Sequence, residues 1–232
     1  MSNPQTSLPK EPAAPASHAL SEEFRQMVDD FFTVQCRYQA AIREVQTKLE
    51  ILDDEFQMRH RRNPIHHMHS RMKTIQSMMD KLRRKKAELT IDSAVENLTD
   101  IAGIRVICSY VQDVYNVANL LTCQDDVHLV RVRDYIQTPK ENGYRSLHLV
   151  VEVPVFLAEG RVMVPVEVQL RTIAMDFWAS LEHSLRYKAP DGVPEAISAE
   201  LKQTAEDIAA LDQRMQSIHD RVDALASENA DE

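Results

Sequence analysis

The chain reads as an α+β fold, a mixed β-sheet flanked by helices with long helices at both ends, and three observations predict it. A three-four apolar spacing runs through the N-terminal part, β-branched runs follow Asp100, and a heptad seam occupies the C-terminal part. From Phe24 the apolar residues Val28, Phe31, Tyr38, Ile42, Val45, Leu49, Leu52 and Phe56 fall on one helical stripe interrupted only at Gln35, which predicts a long amphipathic helix. Asn63-Pro64 ends it, because a residue before proline is pushed out of the helical region. A second, basic helix is expected from about His67 to Leu89.

Four strands are predicted after Asp100: Ile104 to Cys108, Leu129 to Ile136, Leu147 to Val153 and Val162 to Leu170, the last two joined through Glu159-Gly160 as a hairpin. Between the first two, Val114, Val117, Leu120 and Leu121 have helical spacing, so Val111 to Cys123 is expected as a helix. The order strand, helix, strand, strand, strand predicts a mixed sheet rather than an all-parallel one. Beyond Thr172 a helix with Phe177, Trp178, Leu181 and Leu185 on its apolar face is expected to pack on the sheet, with Trp178 in the core. Pro190 and Pro194 separate it from the last helix. There Leu201, Ile208, Met215 and Val222 recur seven apart, with Ile197, Leu211, Ile218 and Leu225 on the matching second position. Such a seam wants a partner, either the N-terminal helix of the same chain or another subunit.

With 232 residues, 44% of them apolar and 27% charged, the chain suits one substantial core. Pro4, Pro9, Pro12 and Pro15 mark a disordered tail over residues 1–20, with no apolar stretch long enough for a signal peptide or a membrane span. Cys36, Cys108 and Cys123 lie in apolar segments and read as reduced, buried thiols, which fits a cytoplasmic protein. A net charge of -9 argues against a general polyanion binder, but the charge is uneven. Ten Lys and Arg residues against one acid lie between Arg59 and Lys86, whereas eleven acids face three basic residues from Asp191 to Glu232. One region attracts phosphate and the other repels it.

The segment Lys140-Glu-Asn-Gly-Tyr-Arg-Ser-Leu-His148 gathers the ingredients of a nucleotide pocket. Lys140 and Arg145 can meet phosphate charge, Asn142 can read a base edge, Tyr144 offers a ring for stacking, and Asn142-Gly143 permits a tight left-handed loop. Strand alternation puts Glu167, Gln169 and Arg171 on one face, Arg131, Arg133 and Tyr135 on another strand's face, and His148 with Glu152 on a third's. Asp100, at the entrance to the first predicted strand, is placed to join Glu167 in holding a magnesium ion through oxygen ligands, an arrangement suited to a polyphosphate.

Asp100-Ile-Ala-Gly-Ile-Arg105, Arg133-Asp-Tyr-Ile136, the Lys140 to His148 segment and Val166-Glu-Val-Gln-Leu-Arg-Thr172 together resemble the synthetase domain of the RelA/SpoT alarmone enzymes. Met175-Asp-Phe-Trp-Ala-Ser-Leu-Glu-His183 and Tyr187-Lys188 extend the resemblance, which spans roughly residues 60–190 and looks like a small alarmone synthetase. The resemblance implies a nucleotidyltransferase-like fold and transfer of the β,γ-pyrophosphate of ATP to the 3′-hydroxyl of GTP or GDP. It implies that Asp100 and Glu167 hold Mg2+, with Glu167 also the base. Tyr144 would stack on the acceptor guanine, with Lys140, Asn142 and His148 around that nucleotide and Arg133, Gln169 and Asp176 nearby. Arg71, Lys73 and Arg105 would grip ATP. A homotetramer is implied as well. A related transferase acting on tRNA, or a non-catalytic nucleotide or RNA sensor, are the alternatives.

The corresponding organisation is a tail over 1–20, an N-terminal helical extension over 21–62, a catalytic domain over 63–190 and a C-terminal heptad helix with an acidic tail over 191–232. His60, His66, His67 and His69 read as a solvated basic face rather than a metal site, since the neighbouring cations oppose another. The run from Lys81 to Lys86 reads as a helix end complementing the dipole, with contact to single-stranded RNA as the other use of its charge. His219-Asp220 lacks the companions a hydrolase centre needs, so hydrolysis is not expected.

Overall fold

A computed structural model describes residues 22–189 and 193–228; the expected tail over 1–20 and Pro190 lie outside the described residues. Helix α1 spans Glu22–His60, as the stripe predicts, and buries Tyr38, Ile42, Val45 and Leu49. The chain turns through Arg61, whose φ is 55°, and Asp53 secures the turn by accepting hydrogen bonds from Asn63 Nδ2 at 2.6 Å and Ile65 N at 3.0 Å.

The expected basic helix is only half present. Strand β1 takes Ile65–Met72, and helix α2 begins at Ile75 and ends at Lys85. Met68, Ser70 and Met72 alternate with His69 and Arg71, and the backbone pairs antiparallel with strand β2, Ala102–Cys108. Edge pairing of this kind is invisible to a helical-period reading of a polar, histidine-rich run. Thr74 starts α2 by accepting from Ser77 N at 3.2 Å, a side-chain cap that satisfies one of the helix's unpaired donors. Arg83, Arg84 and Lys85 close it at its negative end, as the charge pattern suggests.

Helix α3 (Ile91–Asn97) leads into β2, and helix α4 (Val111–Thr122) buries Val114, Val117 and Leu121 while Leu120 stays exposed. Strands β3 (His128–Asp134), β4 (Leu147–Leu157) and β5 (Gly160–Thr172) complete a five-stranded sheet of order β1-β2-β5-β4-β3, in which only β2 and β5 run parallel. The hairpin forms as expected, with Leu157 paired to Gly160. One sheet face is apolar and lies under α1 and α4: Ile104, Val106, Val151, Val166, Val168 and Leu170 share a core with Tyr38, Leu49 and Leu121. The other face is left for polar side chains.

Helix α5 (Ile173–Lys188) starts at Thr172, whose hydroxyl accepts from Met175 N at 3.1 Å. Trp178 is buried as expected, beside Ala179 and Ala205, but Phe177, Leu181 and Leu185 are exposed instead of covering the sheet. Helix α6 (Glu195–Glu228) packs on α5 and α4 rather than alongside α1, and Met215, Ile218 and Val222 of its seam face outward. Cys108 is buried, whereas Cys36 and Cys123 are exposed, so two of the three thiols depart from expectation; all three are free. No helix among the described residues is long and apolar enough to cross a membrane.

Candidate active site

The loop between β3 and β4 is shaped by its own sequence. Gly143 adopts φ +88°, the left-handed region that glycine enters without strain, and its N–H donates to Lys140 O at 2.8 Å. Asn142 Oδ1 accepts from Tyr144 N at 3.2 Å, an Asx turn. Lys140 then reaches over two rings, its Nζ 4.5 Å from the centroid of Tyr144 and 4.7 Å from that of Tyr135. Arg145 turns to the other side of the loop, where it lines a smaller cavity of about 310 Å3 with Lys202 of α6. Lys140 lines both this cavity and the main cleft, whereas Arg145 lines the smaller one and not the main cleft.

Strand register sets the rest of the site. His69 pairs with Arg105, Arg105 with Gln169, Gln169 with His148 and His148 with Arg133, so one row of side chains crosses all five strands on the polar face. The adjacent row carries Arg71, Gly103 and Glu167. Above these rows lies a cleft of about 700 Å3. Arg71 and Arg105 line one side, Lys140, Asn142 and Tyr144 the other, with His148 and Gln169 on the floor. Arg133 is brought into the row but sits exposed on the edge strand, outside the cleft lining.

Arg171, on the same stripe as Glu167 and Gln169, is the hub of the floor. Its guanidinium is buried and donates to Asp176 Oδ1 at 3.0 Å, to Tyr144 Oη at 2.6 Å and to Gln169 Oε1 at 3.4 Å. Asp176 is shared with Arg105 at 3.3 Å. Two partly or fully buried guanidiniums thus have one carboxylate between them. Burial, followed by the repulsion of Arg171, lowers the pKa of Arg105, so an anion entering the cleft meets uncompensated positive charge.

Neither carboxylate named from sequence lines the cleft; Glu167 lies against its floor residues His148 and Gln169, and Asp100 is near enough for its charge to act on Glu167. Asp100 Oδ2 accepts from Lys73 Nζ at 2.7 Å and Lys81 Nζ at 2.6 Å. Burial alone would raise its pKa, but the two ammonium groups outweigh that and hold the carboxyl below its usual value. Its Oδ1 is buried with no hydrogen-bond partner. Glu167 Oε2 accepts from Gln169 Nε2 at 2.8 Å, and Oε1 lies 3.6 Å from His148 Nδ1. Burial pushes Glu167 up, while His148 and Gln169 pull it down by more, and the charge of Asp100 is near enough to push it up. An oxygen without a partner on one carboxylate, beside a second carboxylate, suits a hard cation that completes its shell from a ligand's phosphates. Among the described residues no cluster of three His, Cys, Asp or Glu could hold a metal unaided, the histidines of β1 included.

Lys73 is therefore joined to Asp100 rather than facing the open cleft. Several residues that received no site role from sequence contribute here: Arg171 and, on α5, Ser180, Glu182, His183 and Arg186 line the cleft, and Lys81 pairs with Asp100. Glu182 accepts from Asn142 Nδ2 at 3.0 Å and pairs with Arg186, tying α5 to the loop.

Fold and cleft define a site for polyanionic ligands, built on the polar face of a mixed sheet. A model of the region found in RelA / SpoT proteins matches residues 70–191. The chain is 45% identical over 202 residues to the GTP pyrophosphokinase YwaC of Bacillus subtilis (strain 168), covering 87% of this chain and 96% of that protein. It resembles the crystal structure of small alarmone synthetase 2 from Bacillus subtilis with a TM-score of 0.75 at 44% identity, covering 83% of this chain and 99% of that one. Small alarmone synthetase 1 from the same organism, in the crystal structure bound to its product pppGpp, gives 0.73 at 38% identity over 80% of this chain and 94% of that one. The chain belongs to the RelA/SpoT family.

Proposed function

We propose that this protein is a GTP pyrophosphokinase that makes (p)ppGpp, transferring the β,γ-pyrophosphate of ATP to the 3′-hydroxyl of GTP or GDP and releasing AMP. The observation that carries the reading is the placement of Tyr144 in a cleft whose floor residues His148 and Gln169 contact Glu167, beside two arginines that share the carboxylate of Asp176. The 45% identity to a GTP pyrophosphokinase over most of the chain supports the same reaction.

Arg71 and Arg105 grip ATP on the β1–β2 side, and Tyr144 receives the acceptor guanine with Lys140, Asn142 and His148 around it. Lys73 and Lys81 hold Asp100 in place and present charge to the phosphates. Asp100 and Glu167 would hold Mg2+, which when bound neutralises phosphate oxygens and aligns them. Glu167 takes the proton of the acceptor 3′-hydroxyl, the freed oxygen forms a bond to the β-phosphorus, and the bond to the α-phosphate's bridging oxygen breaks, leaving AMP. Proton transfer of this kind contributes about 10²–10⁴-fold in rate. Gln169 orients Glu167, and Asp176 with Arg171 fixes Arg105. Arg133 lies at the rim, where it meets acceptor charge at longer range.

The proposal includes a homotetramer, supported by the outward apolar side chains Phe177, Leu181 and Leu185 of α5 and Met215, Ile218 and Val222 of α6. It places the chain in the cytoplasm, where its nucleotide substrates are supplied.

Purified protein incubated with Mg2+, labelled ATP and GTP, GDP or tRNA tests the reading. AMP and a 3′-pyrophosphorylated guanine nucleotide are expected, and Glu167→Gln is expected to abolish both while nucleotides still bind. Label on tRNA alone would select the tRNA-modifying alternative, and no AMP with any acceptor would overturn an enzymatic role. Light scattering that gives a monomeric mass would overturn the tetramer.

A further inference from the structure

The hydrogen-bond donors at the cleft floor can be followed from one end to the other. A guanidinium only donates, so at 2.6 Å the Arg171 Nη2–H must give its proton to Tyr144 Oη, which accepts. Tyr144 has one proton of its own, and its hydroxyl lies 2.9 Å from His148 Nε2. If the phenol donates there, Nε2 is the acceptor nitrogen and the neutral imidazole carries its proton on Nδ1. Nδ1 faces Glu167 Oε1 at 3.6 Å, longer than a hydrogen bond, so the contact is that of an N–H dipole aimed at a carboxylate. The Tyr144 and His148 rings stand nearly perpendicular, at 86°, and Tyr135 adds an edge contact to each. The imidazole is thereby held in plane by rings as well as by bonds.

We propose that Arg171 and the Tyr144 hydroxyl select the Nδ1–H tautomer of His148, making His148 a positioning residue that holds the Glu167 carboxylate in the orientation its role as base requires. Tyr144 then has two separable parts. Its ring is the platform for the acceptor base, and its hydroxyl aligns the group that takes the acceptor's proton. The opposite tautomer would turn a lone pair toward the carboxylate and repel it. Glu167 is also fixed at its other oxygen by Gln169, whose own carbonyl oxygen accepts from Arg171, so Arg171 reaches both sides of the base. The inference rests on the reading of Glu167 as base. Its own geometry is independent of turnover.

Two measurements test it. In nucleotide-free protein labelled with 15N-histidine, the ring nitrogens of His148 are expected to show the Nδ1–H tautomer, and Tyr144→Phe to move it toward Nε2–H. An Nε2–H tautomer in the unsubstituted protein overturns the proposal whether or not the enzyme turns over. In steady-state kinetics Tyr144→Phe keeps the ring, so the acceptor KM should stay within about twofold while kcat falls by roughly 10- to 100-fold, less than the ~10²–10⁴ of losing a base. His148→Asn places an amide N–H where Nδ1–H was, and His148→Gln places it where Nε2 was. The Asn variant should therefore keep more kcat than the Gln variant, and adding Tyr144→Phe to it should cost nothing further. A raised KM with unchanged kcat in Tyr144→Phe, or Asn no better than Gln, would overturn the role of the hydroxyl. Full turnover in Glu167→Gln would instead remove the base itself and the functional reading with it.

Discussion

Gly143 and Ala205 meet where the β3–β4 loop crosses α6: a Cβ on Gly143 would stand 2.6 Å from the Cβ of Ala205. Ala205 is buried beside Trp178, whose indole N–H donates to Leu201 O at 2.9 Å, so the helix cannot withdraw without breaking that contact. The loop is thus shaped by a helix far away in sequence. Gly143→Ala is expected to destabilise the protein by about 1–3 kcal/mol, combining the clash with the cost of φ +88° in an L-residue, and to raise the acceptor KM. Ala205→Gly in the same chain should relieve the clash but not the backbone strain. Urea unfolding and acceptor kinetics check both, and an unaltered KM would show that the loop is free of α6.

Asp176 is shared by Arg105 and Arg171, at 3.3 and 3.0 Å. Asp176→Asn leaves two guanidiniums facing each other with no opposing charge between them, and breaking such a partly buried arrangement costs roughly 3 kcal/mol. A phosphate ligand supplies the missing charge. The variant should melt below the parent without nucleotide and gain more from saturating ATP, a difference that thermal unfolding with and without ATP measures directly. Equal gains in parent and variant would mean that ATP phosphates do not approach these arginines.

How much of this was visible in the sequence depends on the element. The stripe of α1 and the β4–β5 hairpin follow a single period and needed no tertiary information. Strand β1 did, because Met68, Ser70 and Met72 alternate over too short a run to outweigh the basic composition around them, and only pairing with β2 makes them a strand. Glu167, Gln169 and Arg171 were legible as one face of a strand, yet nothing in one sequence says that Arg171 would bind Tyr144 of another. On α5 the apolar residues Phe177, Leu181 and Leu185 suggested packing on the sheet. The inward face is instead Met175, Trp178, Ala179 and Glu182, also at three-four spacing, and that spacing was the available signal.

Asp100 titrates in company. Burial pushes its carboxyl up, and Lys73 and Lys81 pull it down by more, so its folded-state pKa lies below the ordinary 3.8. A depressed carboxylate contributes stability that is present above the unfolded value and lost as pH falls through the folded one. Asp100→Asn should therefore destabilise the protein at neutral pH, where two ammonium groups lose their counter-charge, and flatten the acid side of its stability profile. Melting temperature followed downward from neutral pH checks this, and parallel profiles for parent and variant would contradict it. Turnover should fall at every pH, because the side chain with the unpartnered buried oxygen Oδ1 would lose its charge.

Tyr38 sets an alkaline limit on the fold. Only 1% of its surface is exposed, and burial first, with Glu152 adding to it against the pull of Arg37, raises its phenol from 10.0 to about 12. The unfolded chain releases this proton from about pH 10 while the folded chain holds it, so stability is complete below that value and falls as pH rises toward 12. The slope is about 1.4 kcal/mol per pH unit, roughly 3 kcal/mol in all. Tyr115, also raised to about 12 by burial and its hydrogen bond to Asp134, acts in the same direction. Tyr38→Phe should remove its share of the slope while leaving Tyr115's in place. Urea unfolding at about pH 9 and about pH 11 reads the difference between those values. A variant that loses as much stability as the parent over that interval would show that Tyr38 ionises in the folded protein as readily as in the unfolded chain.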